Sequence, residues 1–221
     1  MAEQIAAPWN LTGDGYIMSF KFPRNFIDGN CFLSDRQKEL FAGGTGCIML
    51  VNYKSSNVGP YSELLFIPGK FTYQRSKLYT VSKIYVSTEA SLKNGRNNWG
   101  LPKELASFSF IKDGNSIEKI KITRDGATIM DIGIQASGLP LPLNTCLMPY
   151  PLIQQLDGKT FFVNFKGRGT GRFGQILKVD VNQEFFPNFA FFKHVAIIKV
   201  SNFKLTFPRA RIMEKPAWDN E

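Results

Sequence analysis

The chain has 221 residues, 43% of them hydrophobic and 20% charged, enough for one substantial core or two small ones. No apolar run reaches the roughly 18 residues of a membrane span, and residues 1–9 lack the basic start and apolar stretch of a secretion signal, so a soluble, cytoplasmic protein is expected. The net charge of +9 is spread over scattered lysines without a block of like charge, so solvated faces explain it as well as an anionic partner does, and neither a nucleic acid nor a membrane is the expected partner.

In chain order, residues 16–22 alternate apolar and polar side chains and predict a strand. Ser34, Asp35, Arg36 and Gln37 fit a capping box that opens a short helix to about Phe41, ended by Gly43-Gly44. Residues 47–53 form a continuous apolar run, which predicts a strand covered on both faces. Residues 61–71 and 77–86 predict two more strands. Ser87 or Thr88 caps a helix running to about Asn97, with Glu89 in its first turn, where the helix dipole favours a carboxylate. Residues 106–112, 117–124 and 128–135 then predict a meander, with Asp113-Gly114 and Asp125-Gly126 as hairpin turns. Residues 138–151 read as irregular. Strands are expected at 160–166, after the Asp157-Gly158 turn, and at 173–182 and 195–206. A loose tail follows at 214–221.

About ten short strands, twenty Phe residues and no linker or repeat predict a single mainly β domain, a barrel or sandwich with one or two short helices. Its core would span about 13–213. The three cysteines, Cys31, Cys47 and Cys146, are odd in number and widely spaced. They suit buried thiols better than a disulfide framework or a metal site. His194 is the sole histidine and has no acidic or cysteine partner in pattern, so neither a metal centre nor a Ser-His-Asp triad is expected. Residues 166–174, Lys-Gly-Arg-Gly-Thr-Gly-Arg-Phe-Gly, lack the ending of a phosphate-binding P-loop and read as a flexible basic hairpin loop.

The stretch 95–106, Gly-Arg-Asn-Asn-Trp-Gly-Leu-Pro-Lys-Glu-Leu-Ala, reads as a turn between regular elements. Lys103 lies there among Leu101, Pro102 and Leu105. On local composition alone it is a surface lysine. Stripped of water, an amine loses its preference for the charged form and becomes a nucleophile toward carbonyl carbon.

Gly95-Arg96 followed by Gly100-Leu101-Pro102-Lys103 resembles the signature of the acetoacetate decarboxylase family. Gly59-Pro60-Tyr61-Ser62-Glu63 and Leu205-Thr206-Phe207-Pro208-Arg209-Ala210 resemble two further segments of that family, in the same order. The resemblance implies a closed antiparallel β-barrel with an internal apolar cavity, in which Lys103 forms a Schiff base and Glu63 moves protons or orients the substrate. It also implies a homo-oligomer and a small keto acid or related carbonyl substrate. By default the reaction would be decarboxylation of a β-keto acid, with an aldolase- or dehydratase-like reaction, or a non-catalytic barrel holding an apolar ligand, as alternatives. No cofactor is expected, since the imine is itself the electron sink.

Two positions depart from the family pattern. The second lysine of the family's pair is Glu104 here, and the place of its carboxylate-binding arginine falls on Asp14. Glu104 would oppose nucleophilicity if it faced the amine, and would matter little if the two side chains pointed to opposite faces of an extended segment. Tyr61, Arg96, Trp99 and Glu104 are the expected substrate-binding residues. For Tyr61 and Trp99 core packing is as good a reading, and for Arg96 a helix-end arginine satisfying carbonyls is the better one.

Overall fold

The computed structural model describes residues 3–113, 116–145 and 150–218. In chain order its elements are β1 (Trp9–Phe20), α1 (Arg24–Asp28), α2 (Asp35–Glu39), β2 (Gly46–Ser55), β3 (Tyr61–Ile67), β4 (Lys70–Tyr73), β5 (Ser76–Tyr79) and β6 (Lys83–Val86). Then come α3 (Glu89–Trp99), β7 (Lys103–Leu105), β8 (Ser107–Asp113), β9 (Ile117–Arg124), β10 (Ala127–Asn144), β11 (Leu152–Leu156), β12 (Lys159–Val163), β13 (Lys166–Val181), β14 (His194–Phe207) and β15 (Arg211–Met213).

Ten strands make one sheet in the order β7-β6-β3-β2-β1-β14-β13-β10-β9-β8. Its two edge strands, β7 and β8, follow one another in sequence with only Ala106 between them. The chain thus ties the edges together, and the sheet rolls into a nearly closed barrel. Its pairs are antiparallel except β6 with β7, which are parallel. The expected turns appear where Asp125-Gly126 and Asp157-Gly158 adopt positive φ in succession, the backbone that a two-residue hairpin needs.

Alternation along the strands separates two cores. Ile48, Leu50, Leu64, Phe66, Tyr85, Ile122 and Ile132 point into a cluster drawn from both halves of the sheet, which fills the barrel. Val51, Tyr53, Leu65, Ile84 and Val86 point outward. They pack with Trp99 and Leu101 and with Tyr79, Leu152 and Val163 of a second, five-stranded sheet in the order β15-β12-β11-β5-β4.

The second sheet corrects several expectations. The span 61–71 breaks at Pro68-Gly69 into β3 and β4, and 77–86 breaks into β5 and β6, so each span supplies one strand to each sheet. The tail is not loose through 218. Trp218 is buried, the backbone N–H groups of Ala217 and Trp218 donate to Gln155 Oε1, and β15 pairs with β12.

Residues 138–144 continue β10 rather than forming a loop. Its pairing with β9 ends at Gln135, whereas β13 pairs with it through Asn144. Pro140 and Pro142 thus sit on a stretch with one unpaired edge, where a missing N–H is tolerated. The glycine-rich run is strand β13. A Cβ on Gly171 would lie 2.6 Å from Leu143 Cδ1, and one on Gly167 would lie 2.9 Å from Leu205 Cδ1. These glycines admit side chains of the neighbouring strands. Cys31 and Cys47 are buried free thiols, pushed up to about 12 by burial. Cys146 and Gly114 lie outside the described residues.

Candidate active site

Lys103 is not on a turn. Helix α3 runs on to Trp99 and stops at Gly100, whose φ of 64° is the left-handed cap glycine allows. The chain re-enters the sheet at once as β7, with Lys103 beside Ile84 of β6. Ile84 and Val86 face the outer core, so Lys103 does too. The lysine therefore lies outside the barrel, between the sheet and α3, and not in a cavity of the barrel interior, where apolar side chains pack instead.

Helix α3 is capped by Thr88, whose hydroxyl accepts from Ser91 N–H at 3.3 Å. Its buried residues are Ser91, Asn94, Gly95 and Trp99, a face of mostly small and polar groups. Ser91 and Gly95 are one turn apart and meet the lysine. A Cβ on Gly95 would come within 2.6 Å of both Cδ and Cε of Lys103, so the missing methyl is what leaves room for its stem. The N-terminal segment clamps the far side of the helix: Asn94 Oδ1 accepts from Ile5 N–H at 2.7 Å, and Asn98 Nδ2 donates to Ile5 C=O at 2.8 Å.

The Lys103 side chain is 2% exposed. Its Nζ donates to Glu63 Oε2 at 2.9 Å and to Ser91 Oγ at 3.0 Å, and it lies 5.1 Å from the centre of the Tyr61 ring. Two of its three donors are thus satisfied, and an aromatic face takes the third side. Glu63 reaches this point because it pairs with Val51 of β2 and Val86 of β6, both facing the outer core. Its other oxygen accepts from Tyr53 O–H at 3.2 Å. The Tyr61 ring packs 4.5 Å from that of Tyr53, so two tyrosines, Ser91 and Glu63 form a ring around the amine. Burial, then the Glu63 charge, raises both phenols well above their usual range, so both keep their protons.

The other expected site residues separate from this ring. Arg96 donates from Nε to the backbone carbonyl of Lys103 at 3.0 Å and holds the strand rather than lining a pocket. Trp99 packs edge-on against Trp9 and donates to Pro208 C=O at 2.7 Å. Asp14 bonds Lys54 at 2.6 Å and the backbone of Asn202. It pairs with Asn52 while its neighbour Gly15 pairs with Val51, so its side chain leaves the sheet on the face away from Glu63. Arg24 pairs with Asp28 on the surface. The ring contains no arginine. Among the described residues no group of three or more His, Cys, Asp or Glu could hold a metal ion.

Glu104, next to the lysine, points into the barrel. It bonds Lys83 Nζ at 2.5 Å and the guanidinium of Arg124. Arg124 is on β9, near the opposite edge of the sheet, so these contacts staple the barrel's seam. Burial alone would raise the Glu104 carboxyl, but Lys83 and Arg124 outweigh it and hold it below the usual 4.5. Its contribution is therefore complete above pH 4.5 and is lost as the pH falls through the lower folded value. Glu104→Gln should lower unfolding stability by about 1–3 kcal/mol at pH 7. The deficit relative to wild type should shrink on acidification, as read by urea denaturation at each pH.

Sequence reasoning misses Ser91 and Tyr53, and gives Gly95 only as part of the family signature. Tyr53 could have been found by continuing the hairpin register, since it lies directly across from Tyr61. Ser91 and Gly95 carry a subtler sign: a helix facing a core with serine and glycine is covering something polar.

Residues 39–146 match the model of the acetoacetate decarboxylase family. No curated protein matches the chain in sequence. Among solved structures, the chain is similar to the acetoacetate decarboxylase of Legionella pneumophila, at 14% identity over 95% of this chain and 88% of that one, with a TM-score of 0.69. It is similar to an acetoacetate decarboxylase-like enzyme from Sphingomonas wittichii, at 14% identity over 95% of this chain and 94% of that one, with a TM-score of 0.70. The enduracididine biosynthesis enzyme MppR, solved with pyruvate, is similar over 94% of this chain and 91% of its own, at 10% identity and a TM-score of 0.64.

Proposed function

We propose that the chain is a divergent member of the acetoacetate decarboxylase family and a lyase whose Lys103 forms an imine with a small carbonyl compound. The observation that carries this reading is the buried contact of Lys103 Nζ with Glu63 and Ser91, beneath a helix face left bare at Gly95. In the resting pair the ammonium proton faces the carboxylate. Its transfer to Glu63 leaves both groups uncharged and frees the nitrogen lone pair. The amine then adds to the carbonyl carbon, water departs, and a protonated imine forms. In a β-keto acid the bond to the carboxylate breaks, its electron pair passes into an enamine, and carbon dioxide leaves. Protonation at carbon and hydrolysis by water release the ketone and restore the amine.

The absence of an arginine from the ring favours substrates that need no guanidinium clamp. Aldol or dehydration chemistry on a simple aldehyde or ketone therefore stands beside decarboxylation. One observation favours a binding role instead. Two clefts, one lined by Tyr73 and Arg211 and one by Lys166 and Lys204, do not include Lys103, and the amine is closed to solvent in this conformation. A substrate must displace α3 or β7 to enter, so trapping should develop slowly.

The test is incubation of the protein with acetoacetate, pyruvate, acetone and a simple aldehyde, each with borohydride, followed by peptide mass mapping. A time-dependent adduct on one peptide, with carbon dioxide evolved from acetoacetate alone, supports decarboxylation. An adduct with the aldehyde and no carbon dioxide supports the aldol reading. No adduct with any compound leaves only a binding role.

A further inference from the structure

We propose that the groove where β1, β14 and β13 run side by side is a binding site for a small oligophosphate, separate from Lys103. The groove has a volume of about 530 Å³, within the range of about 300–1,000 Å³ for small-ligand sites. Strand register builds it. Asn10, Thr206 and Lys166 lie directly across from one another in one row, and Thr12, Lys204 and Arg168 in the next. Directly opposed residues project from the same face of a sheet, so three cations converge with two hydroxyls and an amide.

Folding does not account for this arrangement. Arg168 is opposite Lys204, and like charges in that position destabilise a sheet. Several other strand cations do have acidic partners: Lys54 has Asp14, Lys83 has Glu104, Lys119 has Asp113, and Lys199, which itself faces Arg172, has Glu118. Among the described residues, Lys166, Arg168 and Lys204 make no ion pair, and all three are exposed. The side chains gathered here are thus short of negative charge, which the ligand supplies.

The lining selects the kind of anion. Arg168 offers a planar fork matched to two oxygens of a phosphate, and the two lysines offer point charges for its neighbours. No aromatic side chain lines the groove. A single-stranded nucleic acid relies on such side chains to stack its bases. The site therefore fits a compact chain of phosphates rather than a polymer of bases.

The probe is inorganic tripolyphosphate, titrated calorimetrically into the full chain at low and at physiological salt. Arg168→Gln/Lys204→Gln should weaken binding about tenfold or more. Lys77→Ala/Lys193→Ala removes the same net charge from elsewhere and should change binding less than about twofold. The Gln pair should melt no lower than wild type, since it relieves repulsion, so lost binding will not reflect lost folding. Equal weakening in both pairs, or no binding by the wild type, overturns the proposal. So does binding of ATP or a single-stranded oligonucleotide without binding of tripolyphosphate, because recognition would then lie with the base. Lys103→Ala should bind tripolyphosphate as wild type does, which keeps this result independent of the imine chemistry.

Discussion

Lys103→Ala should lose borohydride trapping completely with every carbonyl compound that modifies the wild type. The other lysines cannot substitute, because the reactive state needs an amine that hands its proton to a fixed carboxylate out of water. At Lys103 the acceptor is 2.9 Å away and the pair is nearly sealed, at 2% and 6% exposure. Other pairs, such as Lys119 with Asp113 and Lys93 with Glu89, are more than half exposed and exchange their protons with water. Lys103→Arg keeps the charge and much of the length, yet guanidinium stays protonated. It should be as inactive as the alanine variant while unfolding closer to wild type. Peptide mapping after reduction checks the chemistry, and circular dichroism checks that each variant is folded.

Glu63→Ala should produce the largest loss of stability. A buried ion pair is weak evidence of net stabilisation, but removing one partner strands the other. The Lys103 ammonium would keep only Ser91 Oγ and the Tyr61 ring, with little access to water. The cost is about 3–5 kcal/mol. For a chain of this size that lowers the melting temperature by about 6–20 °C. Glu63→Leu/Lys103→Met removes both charges and should recover most of the loss. Thermal melts of the two variants decide the matter. If the double variant melts as low as the single, the ring of tyrosines and Ser91 is carrying the stability and the charges are not. Trapping should also slow in Glu63→Ala, because the proton has lost its acceptor.

The chain wrote parts of this fold plainly and hid others. Continuous apolar runs gave β2, and Asp-Gly pairs at 125–126 and 157–158 gave hairpins, because those signals are local. The capping box at Ser34 is present with both of its hydrogen bonds. The second sheet was not legible. Its strands are three to five residues long, and although β4 with β5 and β11 with β12 are local hairpins, the pairings that join these hairpins and add β15 link distant parts of the chain. The glycines at 167, 169 and 171 suggest flexibility in the sequence, yet the fold uses them for the absence of a side chain, which only the neighbouring strands make evident.

At the site, the resemblance pointed to Lys103 and Glu63, and the structure brings the two together. That Lys103 and Glu104 face opposite ways follows from strand alternation, once β7 is known to be a strand. Ser91 was harder to find: the serine and glycine on the buried face of α3 point to a polar neighbour but do not say that it is Lys103, twelve residues away.

The pairing of β1 with β14 has a consequence for biosynthesis. Trp9 is matched with Phe207, so β1 waits for a partner strand that is synthesised long after it. Until then β1 keeps one side open, with Leu11 and Ile17 among its residues, as a template for any stray extended chain. Meanwhile β2, β3, β6 and β7 are complete by residue 105 and neighbour one another in the sheet. The lysine's surroundings are thus made by near neighbours in the chain, whereas sealing the molecule waits for a long-range pairing, the kind that forms slowly.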